Sequence, residues 1–433
     1  MMKNLQDLKL NDASYGVHQF KFRKKLKKFT FFSLTVMLMF FSLGSSASHI
    51  RYLNLTWRPV SGRTVEFKFS YAQAGTASVG QQLNFGINTG AGSVTIPTRV
   101  TSNNTAENYF YAEGTALYTY PANGNYTAAF STCCRIFGMV NNSSGSVYVG
   151  TTVNVGTGNS SPIATLPPVV NVSRGVLATF TLPANDPDGD ALSYRLATPS
   201  EMGGGSQPAG LSVNSSTGLV TFNTTNASIG QLYSAAIIVG DGKTSITVDF
   251  IIKITQQSIP PVFDYLVTPA SGTVFQVSPG QAVNFNLKAT DSDAGDNVQL
   301  SGVGIPLGAV TSPSLPRSGN PVQSSFSWTP SNSNLGTNVI NFIAQDNQGV
   351  QTTTSVTIQV SLKPIFNSPP TPAGNSTTFV TAGNVINLTI QASDPDPNDN
   401  VQIVAATLPS GASLASALPT ALGNPTSTSL SWT

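Results

Sequence analysis

Carboxylates in this chain come in knots, and the knots repeat. Asp186-Pro187-Asp188-Gly189-Asp190, Asp291-Ser292-Asp293-Ala294-Gly295-Asp296 and Asp394-Pro395-Asp396-Pro397-Asn398-Asp399 begin 105 and 103 residues apart. A lone aspartate follows the first two at one fixed distance: Asp241 stands 55 residues after Asp186, and Asp346 stands 55 after Asp291. These eleven residues are most of the 19 Asp and Glu in 433 positions. A recurrence of domain length marks tandem copies of one module.

Two further landmarks share the period. Gly319-Asn320-Pro321 recurs as Gly423-Asn424-Pro425, and Phe326-Ser327-Trp328-Thr329 recurs as Leu430-Ser431-Trp432-Thr433. Both tryptophans read as core residues. Between the landmarks the pattern is that of short strands. Val283, Phe285 and Leu287 alternate with polar residues, as do Val65, Phe67, Phe69 and Tyr71 nearer the start, which is the signature of a half-buried strand. Only 9% of residues are charged, while Gly (38) and Pro (28) are abundant; such a mixture suits strands joined by turns. The fold class expected is all-β: tandem immunoglobulin-like/cadherin-like β-sandwiches of about seven strands after an N-terminal signal peptide.

The start of the chain reads as that signal. Residues 21–28 are basic, Phe29 to Leu43 is apolar, and Ser45-Ser46-Ala47 offers small residues to a peptidase. The apolar run of about fifteen residues is short for a membrane span, which needs about twenty. The organisation expected is a signal peptide over 1–47, an N-terminal β-rich surface module over 48–160, and repeats over 161–257, 258–362 and 363–433. The third repeat is truncated: a counterpart of Asp241 and Asp346 would fall near position 449, so the chain reads as a fragment. Adjacent Cys133 and Cys134 leave three possibilities: a vicinal disulfide, pairing with another chain, or two thiols.

Eight of the 21 basic residues precede residue 29, so the exported part carries about −4. No basic stripe exists to neutralise phosphates, which excludes a nucleic-acid partner. Catalysis finds no support either. The exported part has one histidine, His49, at its very start; Glu66, Glu107, Glu113 and Glu201 read as simple surface charges; and Gly203-Gly204-Gly205 is followed by no phosphate-binding Lys-Ser/Thr. No enzyme and no small-molecule substrate are inferred.

In an immunoglobulin-like sandwich the loop after the second strand and the turn between the last two strands emerge at one end. Asp186, Asp188 and Asp190 would there meet Asp241; Asp291, Asp293 and Asp296 would meet Asp346; and Asp394, Asp396 and Asp399 would form the third set. Carboxylates at close range repel or raise one another's pKa, and a hard divalent cation removes the conflict. Calcium accepts six to eight oxygens with loose geometry; zinc would want His or Cys. The alternative is metal-free turn chemistry, since Asp-Pro-Asp-Gly closes a turn unaided.

Ala184-Asn185-Asp186-Pro187-Asp188-Gly189-Asp190, Leu192-Ser193-Tyr194, Thr217-Gly218-Leu219 and Val239-Gly240-Asp241-Gly242 resemble the cadherin-like, dystroglycan-type immunoglobulin repeats of bacterial surface proteins. The Asp-rich linker between true cadherin repeats is absent: the junctions read Gln256-Gln257-Ser258-Ile259-Pro260-Pro261 and Lys363-Pro364-Ile365. The resemblance implies secreted or cell-surface, calcium-linked modules that bind cell-surface or matrix ligands, protein or polysaccharide, in adhesion or as a stalk. By that match the aspartates named above are Ca2+ ligands. The alternative function is a non-catalytic carbohydrate-binding region of a larger secreted polysaccharide-processing enzyme, with the tyrosines between 109 and 126 as a sugar platform.

Overall fold

A computed structural model describes residues 49–433 except 367–376, 378, 396–398 and 405–406. The leader expected over 1–47 and Asp396 lie outside the described residues. Among those described, helix is confined to two single 3-10 turns, Ser200–Met202 and Asn332–Asn334; the other regular elements are strands.

The N-terminal residues form seven strands: Ile50–Ser61, Thr64–Ala74, Gln82–Asn88, Ser93–Asn104, Tyr109–Thr119, Gly124–Thr132 and Val147–Val155. In space their order is first, second, fifth, fourth, third, sixth, seventh. The alternation in Thr64–Ala74 has its usual cause. Val65, Phe67 and Phe69 are buried while Glu66 and Lys68 stand between them, partly exposed. The inward side chains pack Phe69 against Tyr71, Phe85 and Phe130 at centroid distances of 4.9 to 6.2 Å.

This sheet does not stop at residue 160. Strand Ser245–Thr255 pairs on one edge with Leu232–Gly240. Its other edge pairs in succession with the seventh strand (Ile246↔Thr151), the first strand (Asn54↔Val248 to Tyr52↔Phe250) and, in parallel, Val169–Ser173. That is why the strand is buried along almost its whole length: both edges and both faces are covered. The expected boundary between the N-terminal module and the first repeat is thus crossed by one continuous eleven-stranded sheet.

The first repeat completes its sandwich with a facing sheet of Leu177–Thr181, Leu219–Asn223 and Leu211–Val213. The second repeat is a two-sheet sandwich. One sheet holds Val262–Phe263, Val283–Thr290, Val322–Trp328 and Val310–Ser312; the other holds Thr273–Val277, Gln351–Val360, Gly336–Gln345, Val298–Val303 and Arg317–Gly319. Leu287, Leu300, Phe326, Ile340, Phe342 and Ile358 fill the space between. In both repeats an early strand pairs in parallel with the last one, Val169–Ser173 with Ser245–Thr255 and Thr273–Val277 with Gln351–Val360.

The third repeat contributes a sheet of Ile365–Phe366, Ile386–Ser393, Thr426–Trp432 and Ser413–Leu414. Trp328 pairs with Val283 and is buried in the core. Its counterpart Trp432 pairs with Ile386, is 37% exposed, and donates its indole N–H to Ser410.

Candidate functional site

The loop after strand Ala184–Asn185 carries the first acidic knot, and the four-residue turn between Leu232–Gly240 and Ser245–Thr255 carries Asp241. Carboxylate oxygens of Asp186, Asp190 and Asp241 lie within 4.8 Å of one another. Gly189, at φ +82°, makes the bend that returns the loop on itself. Asp186 is the hub. Its Oδ1 accepts the backbone N–H groups of Asp188 (2.9 Å) and Asp190 (3.2 Å), while its Oδ2 is buried and has no donor. Burial, reinforced by the nearby Asp188 and Asp241 charges, pushes the Asp186 carboxyl up to about 6 despite those two amides.

Asp188 points elsewhere. It accepts the backbone N–H (2.6 Å) and hydroxyl (3.3 Å) of Ser160, in the segment leading into this repeat. Asp241 is fully engaged: Oδ1 accepts the amides of Lys243 and Thr244, and Oδ2 accepts Asn159 Nδ2 (3.0 Å) and the Thr244 hydroxyl (2.7 Å). Burial raises its pKa, but these donors outweigh burial and leave the carboxyl below its ordinary value. Lys243 Nζ donates to Asp190 Oδ2 at 2.7 Å.

The second module repeats the geometry with different partners. Carboxylate oxygens of Asp291, Asp293 and Asp296 lie within 4.8 Å of one another. Asp291 Oδ1 accepts the Asp293 amide at 2.8 Å. Asp293 Oδ2 accepts the Ser258 hydroxyl (3.0 Å) and the Ile259 amide (3.1 Å), so a junction serine again holds the knot's second aspartate. Asp346 Oδ1 accepts the amides of Gln348 and Val350. Burial pushes the Asp346 carboxyl up, with Asp291's charge adding to the rise. Here three oxygens are buried without a donor: Oδ2 of Asp291, Asp296 and Asp346. All three residues are more than nine-tenths buried. A buried carboxylate oxygen with no partner costs about 1–3 kcal/mol or more, and such groups ordinarily find a donor or a metal.

In the third module Asp394 is buried and Asp399 exposed; Asp396 lies outside the described residues. The repeated Gly-Asn-Pro motif has a defined task. Asn320 Oδ1 accepts the Asp291 amide, and its Nδ2 donates to the carbonyls of Asp291 (2.8 Å) and Asp296 (3.1 Å). Asn424 does the same at Asp394, accepting its amide and donating to its carbonyl, both at 2.9 Å. Sequence reasoning registered the motif's recurrence but not this strap. Its signal was the matched offset from the acidic knot, 29 residues in one module and 30 in the next. Asn159, Ser160, Ser258 and Lys243 were missed as well, because their contacts cross between loops and carry no local pattern.

The donor set at each loop is oxygen only, held on hydrogen-bonded turns, and rich in negative charge. That combination fits a hard divalent cation and does not fit zinc or copper. Other candidate groups have ordinary roles. Glu66, Glu107, Glu113 and Glu201, read as simple surface charges, pair with Arg58, Lys253, Lys68 and Arg195. Tyr109, Tyr111 and Tyr120 are core residues, and Tyr118 and Tyr126 pack on Tyr120 at 4.9 and 4.3 Å. Cys133 and Cys134 are joined to each other as a vicinal disulfide.

Comparison with known proteins gives these modules relatives. Residues 51–156 match the family described as Integrin beta-like protein A-E, N-terminal; residues 163–260 match Integrin beta-like protein A-E, second Ig-like domain; and residues 260–359 match Bacterial Ig domain. Integrin beta-like protein A of Dictyostelium discoideum is 29% identical over 401 residues, covering 77% of this chain and 20% of that protein. Integrin beta-like protein C of the same organism is 26% identical, covering 79% and 21%. The chain therefore spans about a fifth of the length of these relatives. Among solved structures, human protocadherin-24 EC1-2 is 21% identical and covers 46% of this chain and 98% of its own, with a TM-score of 0.18. The chain is an array of tandem immunoglobulin-like modules.

Proposed function

We propose that this chain is an extracellular, cell-surface part of an adhesion-type protein, whose cadherin-like modules have acidic loops built to take calcium. The observation that carries the reading is the set of buried carboxylate oxygens without donors, Oδ2 of Asp186, Asp291, Asp296 and Asp346, at corresponding loops of successive modules. Calcium would supply the missing partner at each, using oxygens from carboxylates, carbonyls and water. In that reading Asp186, Asp190 and Asp241, and Asp291, Asp293, Asp296 and Asp346, are the side chains that reach the ion.

The relatives support the placement. They are named integrin beta-like proteins and none is named as an enzyme. An array of modules joined by hydrogen-bonded junctions is suited to holding a binding surface out from a cell, and its partners would be cell-surface or matrix ligands. Calorimetric titration of the chelator-stripped chain with calcium tests the metal; heat of binding and a raised melting temperature are expected, and neither appearing rejects it. Antibody labelling of intact cells tests the location, and label that requires permeabilised cells rejects it.

A further inference from the structure

The two described acidic loops differ in one respect that the repeat pattern hides. At the first, every acceptor of Asp241 is taken by a protein donor, and Lys243 Nζ donates to Asp190 at 2.7 Å. Its ammonium also lies in electrostatic reach of Asp188 and Asp241. Three of the four carboxylates there, Asp188, Asp190 and Asp241, face one built-in cation, and one oxygen, Asp186 Oδ2, lacks a donor. At the second, among the described residues no Lys or Arg pairs with Asp291, Asp293, Asp296 or Asp346. Three oxygens lack a donor, and all belong to side chains at least nine-tenths buried.

The cause is a short sequence difference. Asp241-Gly242-Lys243-Thr244 places an ammonium and a hydroxyl after the lone aspartate, and Asn159 donates to it from the preceding junction. Asp346-Asn347-Gln348-Gly349-Val350 has neither: the Ser258 hydroxyl of the preceding junction acts on the Asp346 carboxyl, but no ammonium of the described residues does, and Asn347 and Gln348 offer only long contacts, 3.3 and 3.5 Å, to Asp296 Oδ1.

We propose that Lys243 is a tethered counter-ion that orders the first loop and weakens its hold on calcium, so that the loop of Asp291, Asp296 and Asp346 takes the cation first and depends on it more. The proposal rests on the calcium reading above and divides it between the modules. A positive charge a few ångströms from a site opposes entry of a second cation, and four uncompensated carboxylates attract one. The first module would then be ordered at any calcium level, and the second would respond to calcium.

Calcium titration of the full chain by calorimetry tests this with three variants. Asp291→Asn is expected to abolish one binding event of the unaltered chain; Asp346→Asn reads the same loss should Asp291→Asn fold poorly. Lys243→Gln alters an exposed side chain and is expected to tighten binding at the first loop about tenfold or more, and adding Asp186→Asn to it should remove that gain. An unchanged titration for Lys243→Gln, or full binding retained in both Asp291→Asn and Asp346→Asn, overturns the division while the calcium reading stands. A chain that binds no calcium overturns both.

Discussion

Arg135 and Asp249 are joined by two parallel hydrogen bonds, Nη1 to Oδ1 at 3.0 Å and Nη2 to Oδ2 at 2.6 Å, with side-chain exposures of 0 and 1%. They are 114 residues apart. Arg135 follows the cysteine pair in the N-terminal module, and Asp249 sits mid-strand in the first immunoglobulin-like repeat. With the shared sheet, and with Glu107 accepting from Lys253 and Asn171, the pair makes the two modules one structural unit. Removing one partner strands a buried charge. Asp249→Asn is expected to cost about 3–5 kcal/mol, and Arg135→Met combined with Asp249→Leu to cost less, because no charge is then left uncompensated. Hydrogen exchange in strands Ile50–Ser61 and Ser245–Thr255 measures both; exchange that rises in only one of these strands would contradict a single unit.

Asn320 makes three hydrogen bonds to the backbone of the second acidic loop. Asn320→Ala leaves two buried carbonyls and one amide to find other partners, with an expected loss of about 1–3 kcal/mol. If the loop takes calcium as proposed, the substitution is also expected to weaken that binding about 10–100-fold, as loss of an outer-shell support does at metal sites. Faster exchange of the amides of residues 291–296 would report the loosening directly. Asn424→Ala is expected to act in the same way on the loop at Asp394.

The Asp186 carboxyl, raised to about 6 in the fold, has an ordinary value of about 3.9 when unfolded. The folded protein thus binds its proton more tightly, and the stability it contributes is full below about 4 and lost as pH rises through about 6. Asp188 and Asp346 are raised by burial and share the sign. Glu201, held down to about 2 chiefly by its bond to Arg195, has the opposite sign: its contribution is full above its unfolded value and lost toward pH 2. In chelator the melting temperature is expected to fall by roughly 2–4 °C between pH 4.5 and 7. Asp186→Asn, which mimics the protonated acid, should flatten that slope.

Gly218 sits at φ +68° in the turn before strand Leu219–Asn223, and a Cβ there would meet Tyr194 at 2.8 Å and the Leu182 carbonyl at 3.0 Å. Its own carbonyl accepts the Leu182 amide. Gly218→Ala combines left-handed backbone cost with overpacking, for a loss of about 2–4 kcal/mol. Urea denaturation measures it. A change below about half a kcal/mol would show that Tyr194 yields freely.

Much of the array could be read from the chain. Strands Thr64–Ala74 and Val283–Thr290 and the turn at Asp241 followed from alternation and turn residues, which act within a few positions. Trp328 reads as core because its hydrophobic neighbours lie on one face of one strand. Asn320 could not be read as a strap, since its partners are 29 residues away and an asparagine before proline serves equally well in a plain turn. Glu107 was unreadable for the same reason: Lys253 is 146 residues distant.

Sequence alone determined what is local or periodic: short amphipathic strands, turns punctuated by glycine and aspartate, and one module repeated. It did so because side-chain alternation and backbone preference depend on near neighbours. Tertiary structure decided which carboxylates converge, which of their oxygens are left without donors, and that a strand of the first repeat closes the N-terminal sheet. Those outcomes depend on burial and on contacts between distant segments, which no short window of residues encodes.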